Sequence, residues 1–116
     1  MGLSTHVLDT AHGCPAAGMR VTLLRLEGER AVTLKTVQLS ADGRAEGGLL
    51  DAASMARGRY RLVFEVGAYF RSRGVSLPEP PFLDVVPLDF GIADPQAHYH
   101  VPLLCSPWSY STYRGS

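Results

Sequence analysis

The groups best able to do chemistry in this 116-residue chain are three histidines and an arginine. His98 and His100 stand two apart in "HYHVPLLC", His6 lies near the start in "LSTHVLDT", and Arg44 follows Asp42 and Gly43. Imidazoles titrate near neutrality, so rings brought to one surface can exchange protons or bind a metal. The His-x-His spacing serves either use, because residues two apart on a strand share a face. Taken singly, each group also has a plainer reading: a surface histidine, a solvated arginine at a strand start, and a frayed "YRGS" tail. His12 falls in a turn-rich loop and is assigned no role.

The elements that would carry these residues are strands. In "YRLVFEV", Tyr60, Leu62, Phe64 and Val66 fall on one face, with Arg61 and Glu65 opposite. "VPLDFGI" puts Val86, Leu88, Phe90 and Ile92 on one side. Period-two alternation of this kind marks half-buried strands. "MRVTLLRL" and "AVTLKTVQL" read as strands with looser alternation. Loops are expected at 12–18 and 26–30, a tight turn at 41–43 and a corner at 105–108. A short helix is expected at about 67–73, before the proline-broken "GVSLPEPP". The pattern predicts an all-β sandwich of seven or eight strands. Over 98–105, Tyr99, Val101, Leu103 and Cys105 would face the core, so His98, His100, Pro102 and Leu104 point away from it. In the first strand, Ser4, His6, Leu8 and Thr10 oppose Leu3, Thr5, Val7 and Asp9.

Composition narrows the function classes. Eleven basic and eleven acidic residues are interspersed and cancel, which leaves no basic stripe for nucleic acid or a membrane surface. No apolar run approaches the roughly 20 residues of a membrane span. The length suits one domain, 1–116. The first residues lack a basic segment followed by an apolar one, so the expectation is a cytoplasmic protein with Cys14 and Cys105 as reduced thiols.

Three segments in order, "LSTHVLDTAHGCPAAGM", "DGRAEGGL" and "HYHVPLLCSPWSYSTYRGS", resemble the transthyretin-related proteins that act as 5-hydroxyisourate hydrolases. The likeness spans nearly the whole chain. It implies a transthyretin-like sandwich of two four-stranded antiparallel sheets with one short helix. It also implies a homotetramer, a dimer of dimers, whose active sites lie in channels at the dimer–dimer interface. Carried over by position, it makes His6, Arg44 and His100 catalytic. It adds His98, Tyr113, Arg114, Gly115 and Ser116 as substrate-binding residues, and it calls for no cofactor. In the carrier transthyretin the residues equivalent to His6, Arg44 and His100 are unsuited to this reaction.

The implied reaction is attack of water on a ring carbonyl of 5-hydroxyisourate. A C–N bond then breaks to give 2-oxo-4-hydroxy-4-carboxy-5-ureidoimidazoline in urate degradation. Such a hydrolysis needs a base for the water, a cation for the developing oxyanion and an acid for the leaving nitrogen. His6 and His100 would be the acid–base pair, with their order open, and Arg44 would hold the substrate oxygens. The same residues fit two alternatives. One is a zinc-dependent cyclic amide hydrolase using His6, His98 and His100 as ligands. The other is a non-catalytic carrier of a small molecule.

Overall fold

The computed structural model describes residues 2–115. Among them, β1 (Gly2–Asp9), β2 (Cys14–Pro15), β3 (Arg20–Glu27), β4 (Arg30–Gln38) and β5 (Leu50–Asp51) precede a single 3₁₀ turn at Ala52–Ser54. Then come β6 (Gly58–Phe64), α1 (Val66–Ser72), β7 (Val86–Ile92), β8 (Tyr99–Cys105) and β9 (Tyr110–Thr112). One sheet runs β4-β3-β6-β7 and is antiparallel throughout. The other runs β2-β1-β8-β9, with β5 also pairing with β1. Its centre is a parallel pair, β1 with β8, and its outer positions are short pieces of chain.

The alternation in the sequence accounts for the layers. Leu3 and Val7 of β1 and Tyr99, Val101 and Leu103 of β8 turn inward. They meet Val21 and Leu23 of β3, Tyr60, Leu62 and Phe64 of β6, and Val86, Leu88 and Ile92 of β7. Each fully buried Leu or Phe contributes roughly 1.5–3 kcal/mol relative to an exposed one. The loose alternation of the β3–β4 pair has a local cause. Leu23 pairs with Lys35 and Leu24 with Thr33, so Leu34 is the extra residue of a bulge on β4. Leu34 is left exposed. The expected loop at 12–18 contains the two-residue strand β2, and the one at 26–30 tightens to a turn at Gly28 and Glu29. The helix sits one residue earlier than expected and buries Val66, Tyr69 and Phe70.

A polar network that the sequence reading missed ties α1 to β1. Asp9 is fully buried at the end of β1. It accepts hydrogen bonds from the His12 backbone N–H (2.9 Å) and from Tyr69 Oη (2.8 Å), and its Oδ2 lies 2.6 Å from His12 Nδ1. Burial alone would raise the Asp9 carboxyl, but the bonds from His12 and Tyr69 outweigh it and hold the group below the ordinary 3.8. Burial, and then the Asp9 contact, push Tyr69 up to about 12. A depressed carboxyl stabilises the fold above its unfolded pKa, and that contribution is lost as pH falls through the folded value. Asp9→Ala would strand these donors and is expected to cost about 3 kcal/mol at neutral pH. Urea melts of the two proteins read this directly, and a loss under about 1 kcal/mol would show the donors to be satisfied by solvent.

Both cysteines are free thiols. Burial, with a smaller effect from the Asp9 charge, pushes Cys105 up to about 12, so that thiol stays protonated and inert.

Candidate active site

The parallel pairing of β1 and β8 decides what meets on the outer face. Ser4 lies opposite His100, and His6 opposite Pro102. Residues two apart on a strand share a face, so Ser4, His6 and His100 form one outward group, with His98 just before β8. Strands so far apart in sequence reveal no register to one another, so nothing in the sequence pairs Ser4 with His100.

The outer edges of these two strands bring in the rest. On the side of β1 away from β8, between the short pairings with β5 and β2, Arg44 forms an antiparallel bridge with His6. The turn before it is closed by Gly43 N–H to the Ser40 carbonyl (2.8 Å) and Ser40 N–H to the Arg44 carbonyl (2.8 Å). Val7 N–H donates to the Gly43 carbonyl at 2.9 Å, clamping the turn onto β1. Gly43 has φ +73°, and a Cβ there would lie 2.6 Å from the Val7 carbonyl oxygen. Only glycine fits both demands, so the Asp-Gly turn is what delivers Arg44 to His6.

On the free side of β8, the tail returns antiparallel as β9, and Gly115 bridges His100, with Gly115 N–H on the His100 carbonyl at 2.7 Å. A Cβ on Gly115 would lie 2.6 Å from Cδ2 of His100, so the bare backbone packs flat against the imidazole. Arg114 is used differently. Its guanidinium carbon sits 4.1 Å from the centre of the Tyr99 ring and Nη2 donates to the His98 carbonyl at 3.2 Å. Tyr113 and Arg114 therefore line the cleft between β7 and the tail rather than the histidine face, because the tail turns its side chains there before Gly115 meets His100. Ser116 lies outside the described residues.

Electrostatics single out His100. Partial burial lowers its pKa first, and the charges of Arg44, His6 and His98 lower it further. It is thus a neutral imidazole at neutral pH. Ser4 Oγ is 2.8 Å from His100 Nδ1, which leaves His100 Nε2 for another partner. The His98 and His100 rings are nearly parallel, at 11°, with centres 6.5 Å apart. Among the described residues no three His, Cys, Asp or Glu side chains gather as metal ligands, so the three-histidine zinc arrangement is not formed within one protomer. None of the five ion pairs among the described residues engages Arg44, which leaves its guanidinium available to an anionic oxygen. A neutral imidazole, a second imidazole diagonal to it and a guanidinium on one face can bind a polar planar molecule and exchange protons with it.

The HIUase/Transthyretin family matches residues 3–115 of this chain. The chain belongs to that family. It is 59% identical over 114 residues to "5-hydroxyisourate hydrolase 2" of Rhizobium meliloti (strain 1021), covering 98% of this chain and 95% of that protein. Its backbone matches a crystal structure of (S)-allantoin synthase with TM-score 0.91 and 50% identity, covering 99% of this chain but only 43% of that longer one. Sea bream transthyretin, solved in complex with thyroxine, matches with TM-score 0.84 and 27% identity over 97% of this chain and 93% of that one. The HIUase/Transthyretin fold is thus the expected two-sheet sandwich, with two departures in the β1 sheet: it has five strands, β2 and β5 sharing one edge of β1, and its central pair is parallel rather than antiparallel.

Proposed function

We infer that this protein hydrolyses 5-hydroxyisourate to 2-oxo-4-hydroxy-4-carboxy-5-ureidoimidazoline, as a single hydrolase domain over residues 1–116. The observation that carries the reading is the adjacency of His6, Arg44 and His100 across neighbouring strands, in a chain so similar to a protein of that activity. His100, kept neutral by burial and by the surrounding positive charges, takes a proton from the attacking water at Nε2. Arg44 holds the carbonyl oxygen on which negative charge develops. His6 returns a proton to the leaving nitrogen as the C–N bond opens. His98 and Gly115 complete the binding surface, and Arg114, on the Tyr99 ring and the His98 carbonyl, holds the tail in place. The test is product analysis on freshly generated 5-hydroxyisourate. Hydrolysis yields a product heavier by one water, with one oxygen drawn from labelled solvent. A carrier would return the compound unchanged beyond its spontaneous decay.

A homotetramer, a dimer of dimers, is part of the proposal. The histidine face is an open sheet surface: Arg44 and His98 are exposed and His6 and His100 half-buried, so a second copy is needed to enclose a substrate. The edges of β7 and β9 flank one cleft of about 270 Å³, lined by Leu88, Phe90, Tyr99 and Val101, so one partner could extend both sheets at once. In the segments that lead into β7 and β9, Phe82 is 70% exposed and packs on exposed Trp108 with ring centres 6.1 Å apart. Sedimentation is expected to give four times the chain mass, and Phe82→Glu is expected to give smaller, inactive species. A monomeric wild type with full turnover would end this part of the proposal. The cytoplasm is the proposed compartment, a choice supported by two unpaired thiols. No helix among the described residues is long and apolar enough to cross a membrane.

A further inference from the structure

Ser4 is the residue on the histidine face with no part in the reading above. Its hydroxyl lies 2.8 Å from His100 Nδ1 and 3.4 Å from His98 Nε2, the second at the long end of hydrogen bonding. A hydroxyl has one proton to give and lone pairs to accept with. Between two imidazole nitrogens it can therefore donate to one ring only while accepting from the other. In one arrangement His98 donates to Ser4 and Ser4 to His100, which leaves the His100 proton on Nε2, where it blocks that atom as a base. In the reverse arrangement His100 Nδ1–H donates to Ser4 and Ser4 to His98, which leaves His100 Nε2 with a free lone pair.

We propose that Ser4 is a positioning residue that fixes the tautomer of His100 and relays its proton to His98. The proposal rests on the hydrolase reading and adds to it a route for charge. When His100 Nε2 takes a proton from water, its Nδ1 proton passes to Ser4 Oγ, and the Ser4 hydroxyl proton passes to His98 Nε2. Ser4 ends unchanged, His100 ends neutral with its proton on Nε2, and His98 becomes the imidazolium. The positive charge thus leaves a half-buried ring and settles on an exposed one. Among the described residues, the charged and titratable groups around the relay are Arg44 from the 40–44 turn, His6 from β1, His98 itself and Arg114 from the tail. Partial burial, and then the charges of Arg44 and His6, lower the proton affinity of His100, which favours moving the positive charge off that ring.

The test compares wild type, Ser4→Ala, Ser4→Thr and the double variant Ser4→Ala/His98→Ala. Ser4→Ala is expected to lower kcat by about tenfold to a hundredfold with KM within about threefold, as for loss of an orienting partner of a catalytic histidine. Ser4→Thr keeps the hydroxyl and restores turnover. Adding His98→Ala to Ser4→Ala costs little more, because the relay is already broken. Imidazole ¹⁵N spectra of the ligand-free proteins supply a readout that a merely structural role would not move. His100 carries its proton on Nδ1 in wild type and Ser4→Thr and shifts toward Nε2 in Ser4→Ala. A kcat for Ser4→Ala within about threefold of wild type, or an unchanged His100 tautomer, overturns the proposal. Wild type that fails to accelerate 5-hydroxyisourate decay overturns the hydrolase reading instead, and the nitrogen spectra still decide the role of Ser4.

Discussion

Replacing His100 with alanine is expected to cut turnover of 5-hydroxyisourate by at least about 10², the usual contribution of a positioned acid or base. The loss should fall on kcat, since the imidazole acts on a proton that moves only as water attacks. The fold should survive. His100 is on the outer face, its ring bonds Ser4, and the β8 ladder and the Gly115 bond use its backbone. An unchanged melting curve beside a collapsed kcat would place the effect in the chemistry. His6→Ala should behave alike, because the two rings stand on adjacent strands and face the same side. A loss below about tenfold for either would remove that residue from the mechanism.

Arg44→Ala is expected to lower kcat by about 10²–10³, the range for deleting one donor to a developing oxyanion. Arg44→Lys should recover only a fraction, because an ammonium lacks the planar fork. The substitution also has a pH signature. Arg44 is one of the charges that hold the His100 pKa below 6.5. Without it His100 becomes more basic, stays protonated to higher pH, and cannot take a proton from water there. The acid limb of the kcat/KM profile should therefore move to higher pH in Arg44→Ala. A limb that stays in place, or moves down, would separate Arg44 from His100.

How legible this was differs by residue. Tyr60, Leu62 and Phe64, or Val86, Leu88 and Ile92, announce their strands, because burial on one face imposes period two. The outward turn of His98 and His100 followed from the same rule. The bulge at Leu34 did not, since an inserted residue breaks the period that would reveal it. The Asp9–His12–Tyr69 network was hidden as well. Its members are 3 and 60 residues apart, and nothing local in an aspartate at a strand end signals burial. Bringing His6 beside His100 required a parallel pairing of the chain's two ends, which alternation cannot specify. The resemblance supplied that neighbourhood, and the bridges to Arg44 and Gly115 give it physical form. Gly115 reads as a tail residue in the sequence; only in the fold does a Cβ added there fall 2.6 Å from His100 Cδ2, which shows why a side chain would disturb the site.

The account stands on two imidazoles and one guanidinium acting together on one small molecule. The most direct test is a double-mutant cycle on the absorbance decay of freshly made 5-hydroxyisourate, using His6→Ala, His100→Ala and the pair. Groups that serve one transition state are strongly non-additive, so the double variant should be little slower than the worse single one. Losses that multiply in full, or single variants that keep wild-type rates, would contradict a shared site.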